Sequence, residues 1–228
     1  MRLRVKICCI GSVEEAHLAI RHGADALGLV SAMLTGPGVI PDELVREVAA
    51  RVPPPVATFL LTSRTDPDAI VEQARFCRTT VLQLVDRIEP GAYPRLRRAL
   101  PTVKLVQVLH ITGPEVLEAA AEAGRLADAL LLDSGNPKAA LPELGGTGRV
   151  HDWALSRAIV EAAPVPVFLA GGLRADNVGV AMRAVQPFGV DLCTGVRTDG
   201  RLDAAKLGAF FAAVAAAGEA ARGGHGEA

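Results

Sequence analysis

The chain has 228 residues, of which 50% are hydrophobic and 4% aromatic, and its formal net charge is −1 at pH 7. A near-neutral chain without a basic run gives no reason to expect nucleic acid or a membrane as a partner, and no uninterrupted apolar run approaches transmembrane length. Four cysteines in a chain of this size do not make a disulfide framework, and no CxxC pair suggests zinc. We therefore expect a reduced, cytoplasmic protein.

Short runs rich in Val, Leu and Ile recur along the whole chain, and an amphipathic helical pattern follows each of them. The runs are continuously apolar, which is typical of parallel strands that are covered on both faces. The predicted strands are Leu3–Ile10, Ala26–Val30, Val56–Leu61, Val81–Leu84, Lys104–Leu109, Ala129–Leu132, Val165–Ala170 and Val190–Thr194. The predicted helices are Val13–His22, Asp42–Arg51, Pro67–Arg75, Tyr93–Leu100, Pro114–Ala123, Trp153–Ala163, Asn177–Val185 and Ala204–Ala217.

Eight strand-then-helix units predict an α/β protein with a single (β/α)8 barrel, the TIM barrel, over residues 1–218. A doubly wound open sheet is the main rival, but it usually has fewer strands and a glycine-rich turn after the first one. Residues 219–228 have little to bury, and we expect a flexible tail there. The pattern leaves open whether the protein is a monomer or a homodimer.

In this architecture active sites lie at the carboxyl ends of the strands and in the loops that follow. The first strand ends in two adjacent thiols, Cys8 and Cys9, which either fill the core as small hydrophobic groups or take part in chemistry. Because side chains alternate along a strand, one thiol should face the barrel mouth and the other the helix layer. We assign Cys8 to the mouth and Cys9 to the core.

Asp133 ends the apolar run that forms the sixth predicted strand. Partial desolvation there would raise its pKa and suit it to general-acid work, although an aspartate at this point can also simply cap the next turn. A thiol on strand one and a carboxyl on strand six would face each other across the barrel. That separation suits moving one proton onto a substrate and another off it, but not a nucleophile with a directly bonded base.

Glycines follow the last two predicted strands, where this fold usually binds phosphate. Gly171 and Gly172 follow strand seven and Gly195 follows strand eight, so backbone N–H groups there can approach a ligand closely. Gly146, within the glycine-rich segment 145–148, could add further donors. The alternative is that these glycines only allow tight turns.

With these residues placed, the chain resembles the phosphoribosylanthranilate isomerase family. The matching stretches are Val5-Lys6-Ile7-Cys8, Gly23-Ala24-Asp25-Ala26-Leu27-Gly28, Gln83-Leu84, Leu131-Leu132-Asp133, Gly145-Gly146-Thr147-Gly148 with Asp152-Trp153, Ala170-Gly171-Gly172-Leu173 with Asn177-Val178, and Val190-Asp191 with Gly195-Val196. They are spread over residues 3 to about 197, in the right order and at spacings compatible with a barrel.

The resemblance implies an aldose–ketose isomerase of tryptophan biosynthesis. Such an enzyme converts a phosphoribosylamine into an aminoketose by an Amadori rearrangement, without a metal or an organic cofactor. Cys8 would be the general base that takes the proton from the sugar C2, and Asp133 the general acid that protonates the ring oxygen. Backbone groups around the three glycines after strands seven and eight would hold the phosphate of the small substrate, with Gln83 beside it and Lys6 as a further candidate.

The sequence departs from the family pattern at four points. Cys9 replaces a glycine, Pro37 stands about where an arginine binds the anthranilate carboxylate, Asp86 replaces the glycine of Gln-Leu-His-Gly, and Arg197 replaces a glutamate. Losing a bidentate arginine contact removes on the order of 1.5–3 kcal/mol of recognition. Three hypotheses therefore stand: the tryptophan-pathway isomerase, a paralogue for another phosphorylated sugar-like compound, and a phosphometabolite-binding protein without turnover. In the first two, Asp86 and Arg197 are further candidate site residues.

Overall fold

The computed structural model describes residues 2–33, 36–135 and 151–223, the last three by their backbone alone. Eight parallel strands pair in chain order, and the eighth pairs with the first to close a barrel. The strands are β1 (Arg4–Ile7), β2 (Ala26–Val30), β3 (Ala57–Thr62), β4 (Val81–Leu84), β5 (Lys104–His110), β6 (Ala129–Asp133), β7 (Val167–Leu169) and β8 (Gly189–Leu192). The predicted (β/α)8 barrel is therefore confirmed.

Helices cover the outside of the barrel. They are α1 (Val13–Arg21), α2 (Asp42–Arg51), α3 (Pro67–Cys77), α4 (Ala92–Ala99), α5 (Val116–Leu126), α6 (Trp153–Ala162), α7 (Val178–Val185) and α8 (Ala204–Gly223). A 3-10 turn, Thr194–Val196, and a small hairpin of β9 (Arg197–Thr198) and β10 (Arg201–Leu202) separate β8 from α8. In the described ranges, no helix is both long enough and apolar enough to cross a bilayer.

Most elements begin or end within three residues of the predicted ends, and two of the differences have a structural consequence. The first strand ends at Ile7 instead of Ile10, since Cys9 has a left-handed backbone, φ +63°, that a strand cannot contain. Helix α8 continues to Gly223, so the predicted boundary between barrel and tail at residue 218 falls inside a helix. Residues 224–228 lie outside the described residues, and a flexible tail there stays a prediction.

The buried side chains form two separate layers, as the alternation of side chains along each strand requires. Val5 and Ile7 of β1 point outward into the large cluster between the strands and the helices. Cys8 belongs to a smaller cluster inside the barrel, together with residues such as Val30, Leu61 and Leu131. Side chains of this inner cluster line the site described below.

The loop after β1 is fixed by the start of α1. Ser12 caps the helix, and its Oγ accepts a hydrogen bond from the Glu15 N–H at 3.2 Å, as the predicted capping box requires. The Glu15 carboxylate does not complete the box on the Ser12 N–H, and accepts instead from the N–H groups of Gly11 and Leu202. This carboxylate thereby ties the loop after β1 to the hairpin after β8.

Candidate active site

A pocket of about 690 Å³, a volume that includes its open mouth, lies at the carboxyl ends of the strands. This is the end of the barrel at which TIM-barrel enzymes place their chemistry. Apolar side chains from the inner cluster form most of its wall. The polar, thiol and glycine residues that line it are Cys8, Cys9, Gly36, Gln83, Asp133, Gly171, Gly172, Asp191, Cys193 and Thr194.

Cys8 continues the register of β1 by one residue, since its N–H donates to the Leu192 carbonyl at 2.8 Å. Its thiol lies inside the barrel, against the backbone of Gly28 on the neighbouring strand. A Cβ at Gly28 would stand 2.6 Å from the Cys8 Sγ and 2.9 Å from the Lys6 Nζ. The thiol and the ammonium group therefore share the space that the missing side chain leaves, and Lys6 lies next to Cys8 beneath the pocket.

Lys6 is fully buried and forms an ion pair of 2.9 Å with Asp191, its register partner on β8. Burial by itself would lower the pKa of the Lys6 ammonium, but the Asp191 carboxylate and the Cys8 thiol raise it above its ordinary value. The second oxygen of Asp191, Oδ1, is buried without a hydrogen-bond partner among the described residues, while the residue lines the pocket. The pair thus places a fixed charge network under Cys8.

Asp191 is not among the candidate site residues predicted from the sequence, although it lies in one of the stretches that resemble the family. A signal was present, since a charged residue inside an apolar strand needs a buried partner. Lys6 is such a residue on the adjacent strand. Only the closure of β8 onto β1 shows that the two side chains meet.

Asp133 is the last residue of β6, and it lines the pocket with only 8% of its surface exposed. Burial raises its pKa to about 6; the Ser134 N–H, 2.7 Å from Oδ1, opposes the shift, and the negative charge of Asp191 adds to it. A carboxyl group with this pKa exists in both protonation states near neutral pH. That property is what a general acid requires.

Gly171 and Gly172 form a left-handed turn after β7, with φ values of +85° and +62°, and both line the pocket. Asn177 fixes this turn, because its Nδ2 donates to the Gly172 carbonyl at 2.9 Å and its Oδ1 accepts from the Arg174 N–H at 2.8 Å. Within the part of the chain that the structure describes, the N–H groups of Gly171, Gly172 and Thr194 have no backbone acceptor. Such N–H groups are suited to binding an anion.

Gly195 does not line the pocket, in contrast to the expectation from its place after strand eight. A Cβ at this residue would stand 2.1 Å from the Leu173 carbonyl oxygen, so the missing side chain lets the loops after β7 and β8 touch. Its effect on a ligand would pass through Leu173 and Thr194, which do line the pocket. The predicted donors at Gly146 lie outside the described residues.

Gln83 reaches the pocket from β4 and is 3% exposed. Its Oε1 has no hydrogen-bond partner among the described residues. Val85 and Pro37 also line the pocket, whereas Asp86 is absent from its lining. Burial raises the pKa of the Asp86 carboxyl, but the structure does not bring that carboxyl to the site.

The assignment of Cys9 to the helix layer is wrong. Its positive φ turns the side chain back into the barrel, where it joins the inner cluster and lines the pocket beside Cys8. Strand alternation does not apply here because the strand has already ended. Cys193 packs against the same cluster, so the three thiols lie together in the wall of the pocket.

Arg197 does not itself line the pocket. Its guanidinium forms an ion pair with Glu15, with Nη1–Oε1 and Nη2–Oε2 distances of 3.1 and 3.0 Å, and Nη2 also donates to the Cys9 carbonyl. Among the described lining residues, none is Lys, Arg or His. The contact that the family makes through its arginine thus has no replacement in this part of the lining.

A closed (β/α)8 barrel with a thiol, a buried carboxyl and glycine turns around one pocket defines a TIM-barrel enzyme that performs acid–base chemistry on a small molecule. Residues 5–213 match the family profile described as N-(5'phosphoribosyl)anthranilate (PRA) isomerase. The chain belongs to this family of aldose–ketose isomerases, as its motifs predict.

Individual relatives agree with the family match. The chain is 35% identical over 196 residues to N-(5'-phosphoribosyl)anthranilate isomerase 2 of Methanosarcina mazei, covering 86% of each protein. It is 38% identical to the Haloferax volcanii isomerase, covering 92% of each. The crystal structure of phosphoribosyl anthranilate isomerase from Thermus thermophilus superimposes with a TM-score of 0.79 at 30% identity, covering 94% of this chain and 99% of that one.

Proposed function

We propose that this chain catalyses the isomerisation of N-(5'-phosphoribosyl)anthranilate, an Amadori rearrangement of the tryptophan pathway. The observation that supports it best is that Cys8 on β1 and Asp133 on β6 line one pocket from strands that are not neighbours in the barrel. A base and an acid so placed can act on two different atoms of one substrate. The family match gives the reaction class in which two such proton transfers occur.

Asp133 acts first, as the general acid. Its proton goes to the ring oxygen of the ribose, the bond between that oxygen and C1 breaks, and the nitrogen lone pair forms an iminium ion with C1. A pKa of about 6 makes this proton far easier to transfer than water's and still leaves the acid partly protonated near neutral pH. The Ser134 N–H, 2.7 Å from Oδ1, then stabilises the carboxylate that remains.

Cys8 acts second, as the general base. Its thiolate takes the proton from C2, and the electrons of that bond move toward the iminium nitrogen. The resulting enolamine gains a proton at C1 and loses the proton of its C2 hydroxyl, which gives the aminoketose. The Lys6 ammonium shares the space beside Gly28 with the thiol and places a positive charge next to the sulfur. The Lys6–Asp191 ion pair keeps that ammonium in place.

The two ends of the substrate would occupy opposite sides of the pocket. The phosphate would accept hydrogen bonds from the N–H groups of Gly171, Gly172 and Thr194 on the β7 and β8 side. The aromatic ring would lie against the apolar wall, with Gln83 at the base of the site to bind the sugar hydroxyls.

Turnover of freshly prepared phosphoribosylanthranilate, followed by the loss of its fluorescence, tests this assignment. We expect Cys8→Ala and Asp133→Asn each to lower kcat by about 10²–10⁴, since each removes one proton transfer. Cys77→Ala is the matched control, because this thiol is also buried but lies on α3, outside the pocket lining. Absence of turnover in the unmodified protein would overturn the proposal, and binding of the reduced product analogue would then favour a protein that binds without catalysis.

A second substrate tests how strongly the site recognises the anthranilate carboxylate. Pro37 and the absence of a cation in the described lining favour weak recognition of the anthranilate carboxylate. We expect the phosphoribosyl adduct of aniline, which lacks that carboxylate, to keep kcat/KM within about tenfold of the anthranilate compound, since no charge-assisted pair is lost. A loss of a hundredfold or more would mean that a cation outside the described lining binds the carboxylate.

A further inference from the structure

Three of the four thiols in the chain meet where β8 closes the barrel onto β1. The register pairs Ile7 with Leu192, so Cys8 and Cys193 follow at the same level on adjacent strands. Cys9 turns back to the same place, Cys193 packs against the cluster that contains Cys8 and Cys9, and all three residues line the pocket.

Cys193 differs from the other two thiols in its exposure and in its contacts. It is partly exposed, whereas Cys8 and Cys9 are buried. The neighbouring Cys9 thiol lowers the pKa of the Cys193 thiol; burial opposes this, and the positive charge of Arg197 supports it. The neighbouring Cys193 and Cys8 thiols, together with burial, raise the pKa of the Cys9 thiol.

Arg197 is positioned to hold this arrangement. Its two terminal nitrogens bind the Glu15 carboxylate and the Cys9 carbonyl, which fixes the guanidinium against the loop that bears Cys9. Its Nε is buried without a hydrogen-bond partner among the described residues. Cys9 and Arg197, two of the positions at which the sequence departs from its family, thus lie together at Cys193.

We propose that Cys193 is a peroxide-reactive thiol and that Cys9 captures its oxidised form as an intramolecular disulfide in the wall of the active-site pocket. This inference goes beyond the proposed isomerase activity and does not depend on it. Cys193 fits the attacking role because it is the accessible member of the pair and lies beside a fixed cation. Cys9 fits the resolving role because its side chain is turned into the part of the pocket wall against which Cys193 packs.

The chemistry takes place in two steps. The Cys193 thiolate attacks a peroxide oxygen, an S–O bond forms, the O–O bond breaks, and the leaving water or alcohol takes up a proton. The Cys9 sulfur then attacks the sulfenic sulfur, an S–S bond forms, the S–O bond breaks, and hydroxide leaves as water with the Cys9 proton. Two thiols are oxidised by two electrons and one peroxide is reduced.

The location predicts a consequence for the site. Cys193 directly precedes Thr194, which lines the pocket and is one of the proposed phosphate donors, and Cys9 directly follows Cys8. A covalent bond between the two side chains would couple the loop after β8 to the loop after β1. We expect the oxidised protein to bind and turn over its substrate at least about tenfold less well, and a thiol reductant to reverse this.

Peptide mapping of the full chain after hydrogen peroxide treatment tests the proposal. Trypsin should release residues 7–21, which contain Cys8 and Cys9, linked to residues 184–197, which contain Cys193. Fragment ions that separate Cys8 from Cys9 identify the partner. We expect the Cys9–Cys193 link, formed at least about tenfold faster than any modification of Cys77, the buried thiol on α3.

Variants separate the two roles. In Cys9→Ala, the sulfenic acid on Cys193 should persist and react with dimedone, whereas Cys193→Ala should give neither the adduct nor the disulfide. Arg197→Gln should slow the first step several-fold, because it removes the cation beside the sulfur. A Cys8–Cys193 link, or peroxide reactivity at Cys193 no greater than at Cys77 in the unmodified protein, would overturn the proposal.

Discussion

Lys6 and Asp191 are register partners on the first and last strands of the barrel, and their side chains form a 2.9 Å ion pair beneath the pocket. The pair exists because the barrel closes at this seam: the two residues are 185 positions apart in the chain. It fixes the charge environment of Cys8 on one side and of Asp133 on the other. The stability of the protein and its chemistry therefore depend on the same contact.

Replacing Asp191 by Asn should destabilise the protein strongly, because it leaves the fully buried Lys6 ammonium without its counter-charge. We expect the free energy of unfolding to fall by about 3–5 kcal/mol, measured by urea denaturation at pH 7. Asp68→Asn, in an exposed pair with Arg95, is the control and should cost less than about 1 kcal/mol. Equal, small losses in both variants would show that the Lys6–Asp191 pair is not charged.

The pKa of Asp133 should make stability depend on pH in a defined direction. The pKa is raised from 3.8 to about 6 by burial, so between these values the folded state keeps a proton that the unfolded state releases. The contribution of Asp133 to the free energy of unfolding is therefore most favourable below pH 4. It falls by about 3 kcal/mol as the pH rises through 6. In urea titrations, Asp133→Asn should be more stable than the unmodified protein above pH 6 and equal to it near pH 4. Parallel curves would contradict the shift.

His151 should give the opposite pH dependence. Burial lowers its pKa from 6.5 to about 4, so the folded state stays neutral where the unfolded state takes up a proton. The contribution of His151 to the free energy of unfolding is complete above pH 6.5. About 2 kcal/mol of it, after allowance for partial exposure, is lost as the pH falls toward 4. His151→Gln should reduce the loss of stability between pH 7 and pH 5, whereas His17→Gln, at an exposed site, should not. An unchanged loss in the first variant would contradict the assignment.

Gly28→Ala should disturb catalysis directly. The new Cβ would stand 2.6 Å from the Cys8 Sγ and 2.9 Å from the Lys6 Nζ, so both groups must move. Because a small displacement of a catalytic group costs orders of magnitude, we expect kcat to fall by about 10²-fold in the fluorescence assay. Gly91→Ala is the matched control, since its Cβ meets nothing within 4 Å and its backbone is helical. An unaffected kcat in Gly28→Ala would argue against Cys8 as the base.

The sequence by itself determined the architecture. Continuous apolar runs specify strands that are buried on both faces, and eight of them with intervening amphipathic helices specify a closed barrel. Strands β2 and β4 and helix α2 begin and end at the predicted residues. The rule that chemistry lies at the carboxyl ends of strands also selected Cys8, Gln83, Asp133, Gly171 and Gly172, all of which line the pocket. These are local properties of the chain, and a local pattern is sufficient to predict them.

The tertiary structure decided which of these groups meet. Cys9 turns into the barrel because its backbone is left-handed, Arg197 binds Glu15 away from the pocket, and Gly195 serves the contact between two loops. Each of these outcomes depends on which residues of a distant segment lie next to the residue concerned. The hydrophobic periodicity of the sequence carries no information about such neighbours. The pairing of Lys6 with Asp191, and the position of Cys193 beside Cys8 and Cys9, likewise follow from the closure of β8 onto β1. Closure of the barrel brings β1 and β8 together, and this contact exists only in the folded protein.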